Sequence, residues 1–128
     1  MSDHDNAYAL RLFEPVTIFR VELEDDPRYG LYSSNVSNEL QELTGRHIRP
    51  SDDSGLNGYW QFQDDVYFGF GSIAQLKAWI YRDDWRESLH AEGYHISVFE
   101  AQGRIGNTQA IFQWNTRKEG HSLSLLEI

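Results

Sequence analysis

The sequence predicts one compact α+β domain, in which a small, mostly antiparallel sheet with a C-terminal β-hairpin packs against two or three helices. Three observations carry that prediction. Ser72 and Gln75, just after Gly71, write a Ser-x-x-Gln capping box at the head of a helical pattern that runs to Gly93. Tyr94 to Glu100 then alternates apolar and polar residues and is answered, after a turn, by Gln109 to Trp114, which reads as a hairpin. Far upstream, Val16 to Leu23 is rich in β-branched residues and alternates with a period of two.

Taken in order, residues 1–12 show no clear period and read as a loosely docked start. In the first strand Phe19, Val21 and Leu23 share one face and Arg20, Glu22 and Glu24 the other, so the prediction is a strand with one face in water. Glu24 to Gly30 is a charged turn. Ser33 or Ser34 then caps a short helix with Val36, Leu40 and Leu43 on one stripe, stopped by Gly45. His47 to Gly58 is a polar loop, and Tyr59 to Gln63 a candidate strand. Asp64-Asp65 turns the chain into a short apolar strand from Val66 to Phe70. Within the long helical region Ile73, Leu76 and Ile80 line one face with Trp79, while Trp85 and Leu89 fall out of register. A break at Arg82 to Asp84, restarted by an Asp84-x-x-Glu87 cap, accounts for both. Gly93 supplies the helix C′ position. Gln102 to Asn107 reads as the hairpin loop, and Asn115 onward as a polar, basic piece ending in the apolar Leu123, Leu125, Leu126 and Ile128.

The 128 residues suffice for a single core that buries about two-thirds of the unfolded surface. Four tryptophans, Trp60, Trp79, Trp85 and Trp114, read as bulky core, since each ring can bury about 150–250 Å². The absence of cysteine excludes disulfides, thiolate zinc sites and a cysteine nucleophile, and fits a reducing compartment. No apolar run approaches the roughly 20 residues of a membrane span, and no signal-peptide core follows Met1, so the expectation is a cytoplasmic protein without a membrane partner. The net charge of −9 is unevenly spread: residues 1–65 carry 13 acidic and 5 basic side chains, residues 66–128 carry 7 and 6. Such a surface repels phosphates and attracts basic protein surfaces.

Catalytic and metal motifs are missing. His4, His47, His90, His95 and His121 have no ligand spacing, so no metal is expected. Asp53 to Asp64 echoes a calcium loop only superficially, with Gly55 where a ligand is needed. There is no Gly-x-Ser-x-Gly elbow and no phosphate loop. Arg104, Arg117 and Lys118 are the sole basic concentration, too sparse to predict direct nucleic-acid binding.

Two resemblances add to this reading. Arg20 on a strand, followed by Gly30-Leu31-Tyr32-Ser33-Ser34 and a helix, is similar to the opening of ADP-ribosyltransferase domains. That likeness implies NAD as a cofactor, Arg20 at its nicotinamide ribose, Glu100 as the acid orienting the acceptor, and Tyr32 in the same site. The second Ser-Thr-Ser strand and the Glu-x-Glu of that class are absent. More broadly, Phe19 to Glu22, Gly30 to Tyr32, Phe68 to Trp79, Gly93 to Glu100 and Gln109 to Phe112 together resemble small proteins encoded by bacteriophages and prophages. The likeness implies an architecture and a genetic setting, and by analogy of class an inhibitor of host defence such as an anti-CRISPR protein.

The leading expectation is therefore a non-catalytic protein that occludes a basic surface of a host protein. Glu22, Glu24, Asp25, Asp26, Asp52, Asp53, Asp64 and Asp65 stand in for phosphates, and Tyr29, Tyr32, Tyr59 and Trp60 act as aromatic anchors. The NAD-dependent transferase with Arg20, Tyr32 and Glu100 is the alternative. A self-associating assembly protein, using a free sheet edge or Leu123 to Ile128, is a third.

Overall fold

The computed structural model describes residues 13–28, 55–56 and 65–128. Its elements are β1 (Glu14–Leu23), β2 (Val66–Gly69), α1 (Ile73–Trp79), α2 (Asp83–Ala91), β3 (Tyr94–Ile105), β4 (Ala110–Gln113) and β5 (His121–Leu123). Short 3₁₀ turns cover Trp114–Thr116 and Leu125–Glu127. The expected α+β architecture is what the chain adopts: an antiparallel, curled sheet with two helices against it. The expected loosely docked start, the short helix after Ser33 and the strand Tyr59 to Gln63 lie outside the described residues.

The sheet runs β1-β3-β4-β2, with β5 added beside the first half of β3. Every pair is antiparallel, and β1 and β3 pair without interruption from Glu14↔Gly103 to Leu23↔Tyr94. The far strand then returns to the first. Phe70, just past β2, bridges Phe19 of β1 through two backbone bonds of 2.8 and 2.7 Å. The sheet thus bends into a half-barrel whose two edges meet at one point, and that point leaves little room. A Cβ on Gly69 would stand 2.8 Å from the Ile18 Cγ2 and 3.1 Å from the Phe19 carbonyl oxygen.

Curling gives the sheet two buried faces. The outer face carries Val21, Phe70, Ile96 and Val98, which pack with Leu76, Trp79, Ile80 and Leu89 of the helical region and with Leu125. The inner face carries Ile18, Phe99, Ala101, Ala110 and Phe112, flanked by Val16, Tyr67 and Trp114. A third patch of Phe13, Leu56 and Ile111 closes one margin. Of the tryptophans read as core, Trp79 is fully buried while Trp85 and Trp114 are half-buried.

The helix signals hold with local differences. Ser72 Oγ accepts the Gln75 N–H at 3.1 Å, as a capping box requires. The Gln75 side chain reaches one residue further back than the motif expects, accepting the Gly71 N–H at 2.7 Å and donating to the Gly106 carbonyl at 3.0 Å. It thereby ties the start of α1 to the β3–β4 turn. The break between helices falls at Ile80 to Arg82, earlier than expected, and Asp84 does not cap: α2 opens at Asp83 after Arg82, which makes no side-chain cap. The reason is Arg86, a buried residue whose Nη1 donates to the Ile80 carbonyl at 2.6 Å and whose Nη2 pairs with Asp83. That carbonyl is satisfied from the next helix, and the kink turns Leu89 into the same core as Leu76. Gly93 ends α2 at φ +95°, a left-handed conformation that glycine adopts freely.

Two expectations are corrected at the C-terminal end. Gln102 to Ile105 is strand, and the turn begins at Gly106, whose N–H meets the Gln109 carbonyl at 2.7 Å. Gly103 looks like a turn residue, yet it sits where a Cβ would collide with the Ile111 carbonyl oxygen of β4. The apolar C-terminal residues are largely spent within the chain: Leu125 is buried, Leu123 and Ile128 pack on the same cluster, and only Leu126 is exposed. The sticky tail that supported self-association is therefore part of the core.

Gly69→Ala tests the closure directly. The added methyl must displace Ile18 or part the Phe19–Phe70 bridge, and overpacking of this kind costs about 1–3 kcal/mol in urea unfolding.

Candidate functional site

The face of β1 expected to be wet is the most buried polar region described. Arg20 is 3% exposed and Glu22 1%. The alternation was read correctly, but the curled sheet covers both faces. Arg20 Nε donates to Glu22 Oε2 at 3.1 Å, Nη1 to the Phe68 carbonyl at 2.6 Å and Nη2 to the Arg28 carbonyl at 3.0 Å. One guanidinium thus fastens β1, β2 and the turn after β1. Glu22 also takes a bidentate pair from Arg117, at 2.9 and 2.6 Å, and a hydrogen bond from Ser97 Oγ, which in turn meets His95 Nε2 at 2.9 Å.

Aromatic rings surround these cations. The Arg20 guanidinium carbon lies 5.4 Å from the Tyr67 ring centre, 5.8 Å from Phe112 and 5.6 Å from Trp114. Arg117 lies 4.0 Å from the Phe99 ring and 4.8 Å from Trp114. The exposed Arg28 lies 5.1 Å from Trp114 and donates from Nη1 to the Tyr67 hydroxyl at 3.0 Å. Burial pulls the Arg20 pKa down to about 10, Glu22 opposes that fall and Arg117 adds to it. Arg20 still carries its charge at neutral pH.

The other polar region is an acidic edge. Glu24 and Asp25 are exposed and Asp26 half-buried, and the Glu24 N–H donates to the Gly93 carbonyl at 3.0 Å. That bond fastens the turn after β1 to the end of α2, where Glu92 is exposed. Along α2, Asp83, Asp84 and Glu87 are exposed as well, and Arg86 beside them is buried. Tyr81, 64% exposed, meets Trp85 edge-on at 4.9 Å, and Arg82 lies 5.1 Å over the Trp85 ring while pairing with Asp84. Splitting the chain in half hid this helix, because its carboxylates were averaged against distant cations. A ten-residue window over 83–92 finds four acids and one arginine.

The expected binding residues are thus scattered. Glu22 faces the interior; Glu24, Asp25 and Asp26 share the turn. Asp65 is half-buried beside β2, with Oδ2 accepting the Asn115 N–H at 2.7 Å. Tyr29, Tyr32, Asp52, Asp53, Tyr59, Trp60 and Asp64 lie outside the described residues. For the transferase alternative the register is decisive. Arg20 pairs with Ser97 and Glu100 with Thr17, so Arg20 and Glu100 project from opposite faces of the sheet. Glu100 is exposed there, 3.7 Å from Lys118. Tyr32 lies outside the described residues.

No cluster of metal-ligating side chains occurs among the described residues, and none of their helices is long and apolar enough to cross a membrane. The fold and its polar regions define a small α+β protein with an ion-paired interior and an acidic edge. The chain belongs to the Bacteriophage T4 Y00F protein family, whose profile matches residues 13–125. It is a small phage-associated protein, and the resemblance seen in Phe19 to Glu22, Phe68 to Trp79 and the later strands falls within that span. Comparison with curated proteins and with solved structures returns no match.

Two measurements follow. Glu22→Gln leaves two guanidiniums around an uncharged amide in a buried site, and should cost about 3–5 kcal/mol of unfolding free energy. Glu24→Gln, one turn away in water, should stay within about 0.5 kcal/mol. Tyr94 supplies a pH signature: burial, aided by Glu92, raises its phenol above the ordinary 10.0. The unfolded chain ionises this group first, so folding stability falls as pH rises past that value. Tyr94→Phe should remove a phenolate that titrates above 10.0 from the absorbance titration and flatten that part of the stability curve.

Proposed function

We propose that this phage protein is a non-catalytic binder whose acidic edge occludes a basic surface of a host protein, of the kind that otherwise grips nucleic acid. One observation supports this reading above the rest: the exposed carboxylates of Glu24 and Asp25 are fastened by the Glu24–Gly93 backbone bond to the end of an α2 that exposes Asp83, Asp84, Glu87 and Glu92. Acidic groups held on a strand end and a helix are pre-positioned, so little ordering entropy is lost on docking. Tyr81, Trp85 and Arg82 at the head of α2 are the residue types that dominate interface energetics, and they stand where the acidic helix begins. Glu22 has no part in this surface. Host defence complexes, the targets of anti-CRISPR proteins, are the first basic partners to test.

The experiment is capture from bacterial lysate at low and high salt, followed by competition between this protein and DNA for the captured partner. A basic partner released by salt and freed from DNA by this protein is the expected result. The triple variant Glu24→Lys, Glu87→Lys, Glu92→Lys should weaken the complex about 100-fold, since each rim charge in a steered interface contributes a few-fold or more. Binding indifferent both to salt and to the triple variant overturns the reading.

A further inference from the structure

Among the described residues, the inner face of the sheet holds more positive than negative charge. Arg20 and Arg117 share the single carboxylate of Glu22, and Arg28 pairs with no carboxylate among the described residues. All three guanidiniums lie within 5.6 Å of the Trp114 ring centre. Among the described residues, Asp26 and Asp65 turn a carboxylate oxygen to backbone donors, Asp26 to the Arg28 N–H and Asp65 to the Asn115 N–H. In a chain of net charge −9, three cations and one anion around an indole are a local inversion of sign.

A cleft opens onto Arg117. It lies between β3 and residues 117–122, measures about 240 Å³, and is lined by Ser97, Phe99, Arg117, Glu119, His121 and Ser122 among others. The 117–122 segment presses so closely on β3 that a Cβ on Gly120 would collide with the Val98 carbonyl oxygen. Arg117 is 21% exposed there, and its bonds to Glu22 engage both Nη atoms and leave Nε unspent.

We propose that this cleft binds a small phosphoryl-bearing anion, contacted by Arg117 and drawn also by the charge on Arg28, which pairs with no described carboxylate. Charge selects the ligand class. An excess of two guanidiniums over carboxylates among the described residues suits a phosphomonoester, which carries about −1.5 to −2 at neutral pH, better than a carboxylate. Size selects against a polymer: the acidic remainder of the surface repels a long polyphosphate chain, whereas a small anion in the cleft is shielded from charges beyond about 8 Å of electrolyte. Glu119 is the one carboxylate lining the cleft, and it opposes the anion. The site is independent of the acidic edge and stands or falls without it.

The test is titration of the isotope-labelled full chain with inorganic phosphate and, separately, adenosine monophosphate, at constant ionic strength against chloride. Saturable shifts should appear in the amides of residues 97–99 and 117–122 and in the Trp114 indole. Arg117→Gln should abolish them. Because that variant also disturbs Glu22, two exposed variants keep the test decisive: Arg28→Gln should weaken binding about threefold, and Glu119→Gln should strengthen it about twofold. Tighter binding of the nucleotide identifies a phosphomonoester as the ligand, and equal binding identifies the phosphoryl group alone; either supports the site. Absence of saturation, shifts matched by chloride, or binding unchanged in both exposed variants overturns it.

Discussion

Glu22 sits near the C-terminal end of β1, out of water, with its two carboxylate oxygens shared among Arg20, Arg117 and Ser97. These partners come from the same strand, from the segment after β4 and from β3, so one carboxylate holds three parts of the chain in register. Arg20 extends the grip to β2 and to the turn after β1 through the carbonyls of Phe68 and Arg28. Burying such a group is costly, and a well-packed apolar cluster of similar volume could be as stable. Its contribution is geometric: charged partners tolerate few arrangements, which favours one curvature of the sheet over others.

That curvature explains why helices and rings divide the work. A flat sheet of this size would need cover on both sides, yet the described chain supplies two helices on one side only. The other side is closed by the sheet itself, as β2 returns to β1 through Phe70, and by the rings of Tyr67, Phe99, Phe112 and Trp114. Aromatic faces are suited to this place because they pack as apolar surface and still accept the guanidiniums. The inner polar network and the outer helical core are two consequences of one bend.

The bend also separates the charges. Cations are gathered inside, around Trp114, while carboxylates remain along α2 and on the turn pinned to its end. Arg86 repeats the device on a smaller scale: buried, it satisfies the Ile80 carbonyl between the helices, while the acids beside it stay exposed. The surface is therefore more acidic at this edge than composition alone suggests.

Local signals in the sequence determined the elements whose causes are local. The Ser72 cap, Gly93 at the helix end, the alternation of Val16 to Leu23 and the strand starting at Tyr94 are set by backbone preferences within a few residues, and each appears where expected. Even the broken helix was legible from the slipped register of Trp85 and Leu89, though its bounds were not, since they depend on Arg86 reaching back to Ile80. The family setting was legible too, in residues that are mostly structural. Tertiary structure alone decided which face of β1 meets water, whether Arg20 and Glu100 meet, and where Gly103 and the last leucines lie. A period of two says that faces differ, and it says nothing of what covers them. Cover comes from chain distant in sequence, such as Phe68, Trp114 and Arg117, and only the closed sheet brings those residues to Glu22.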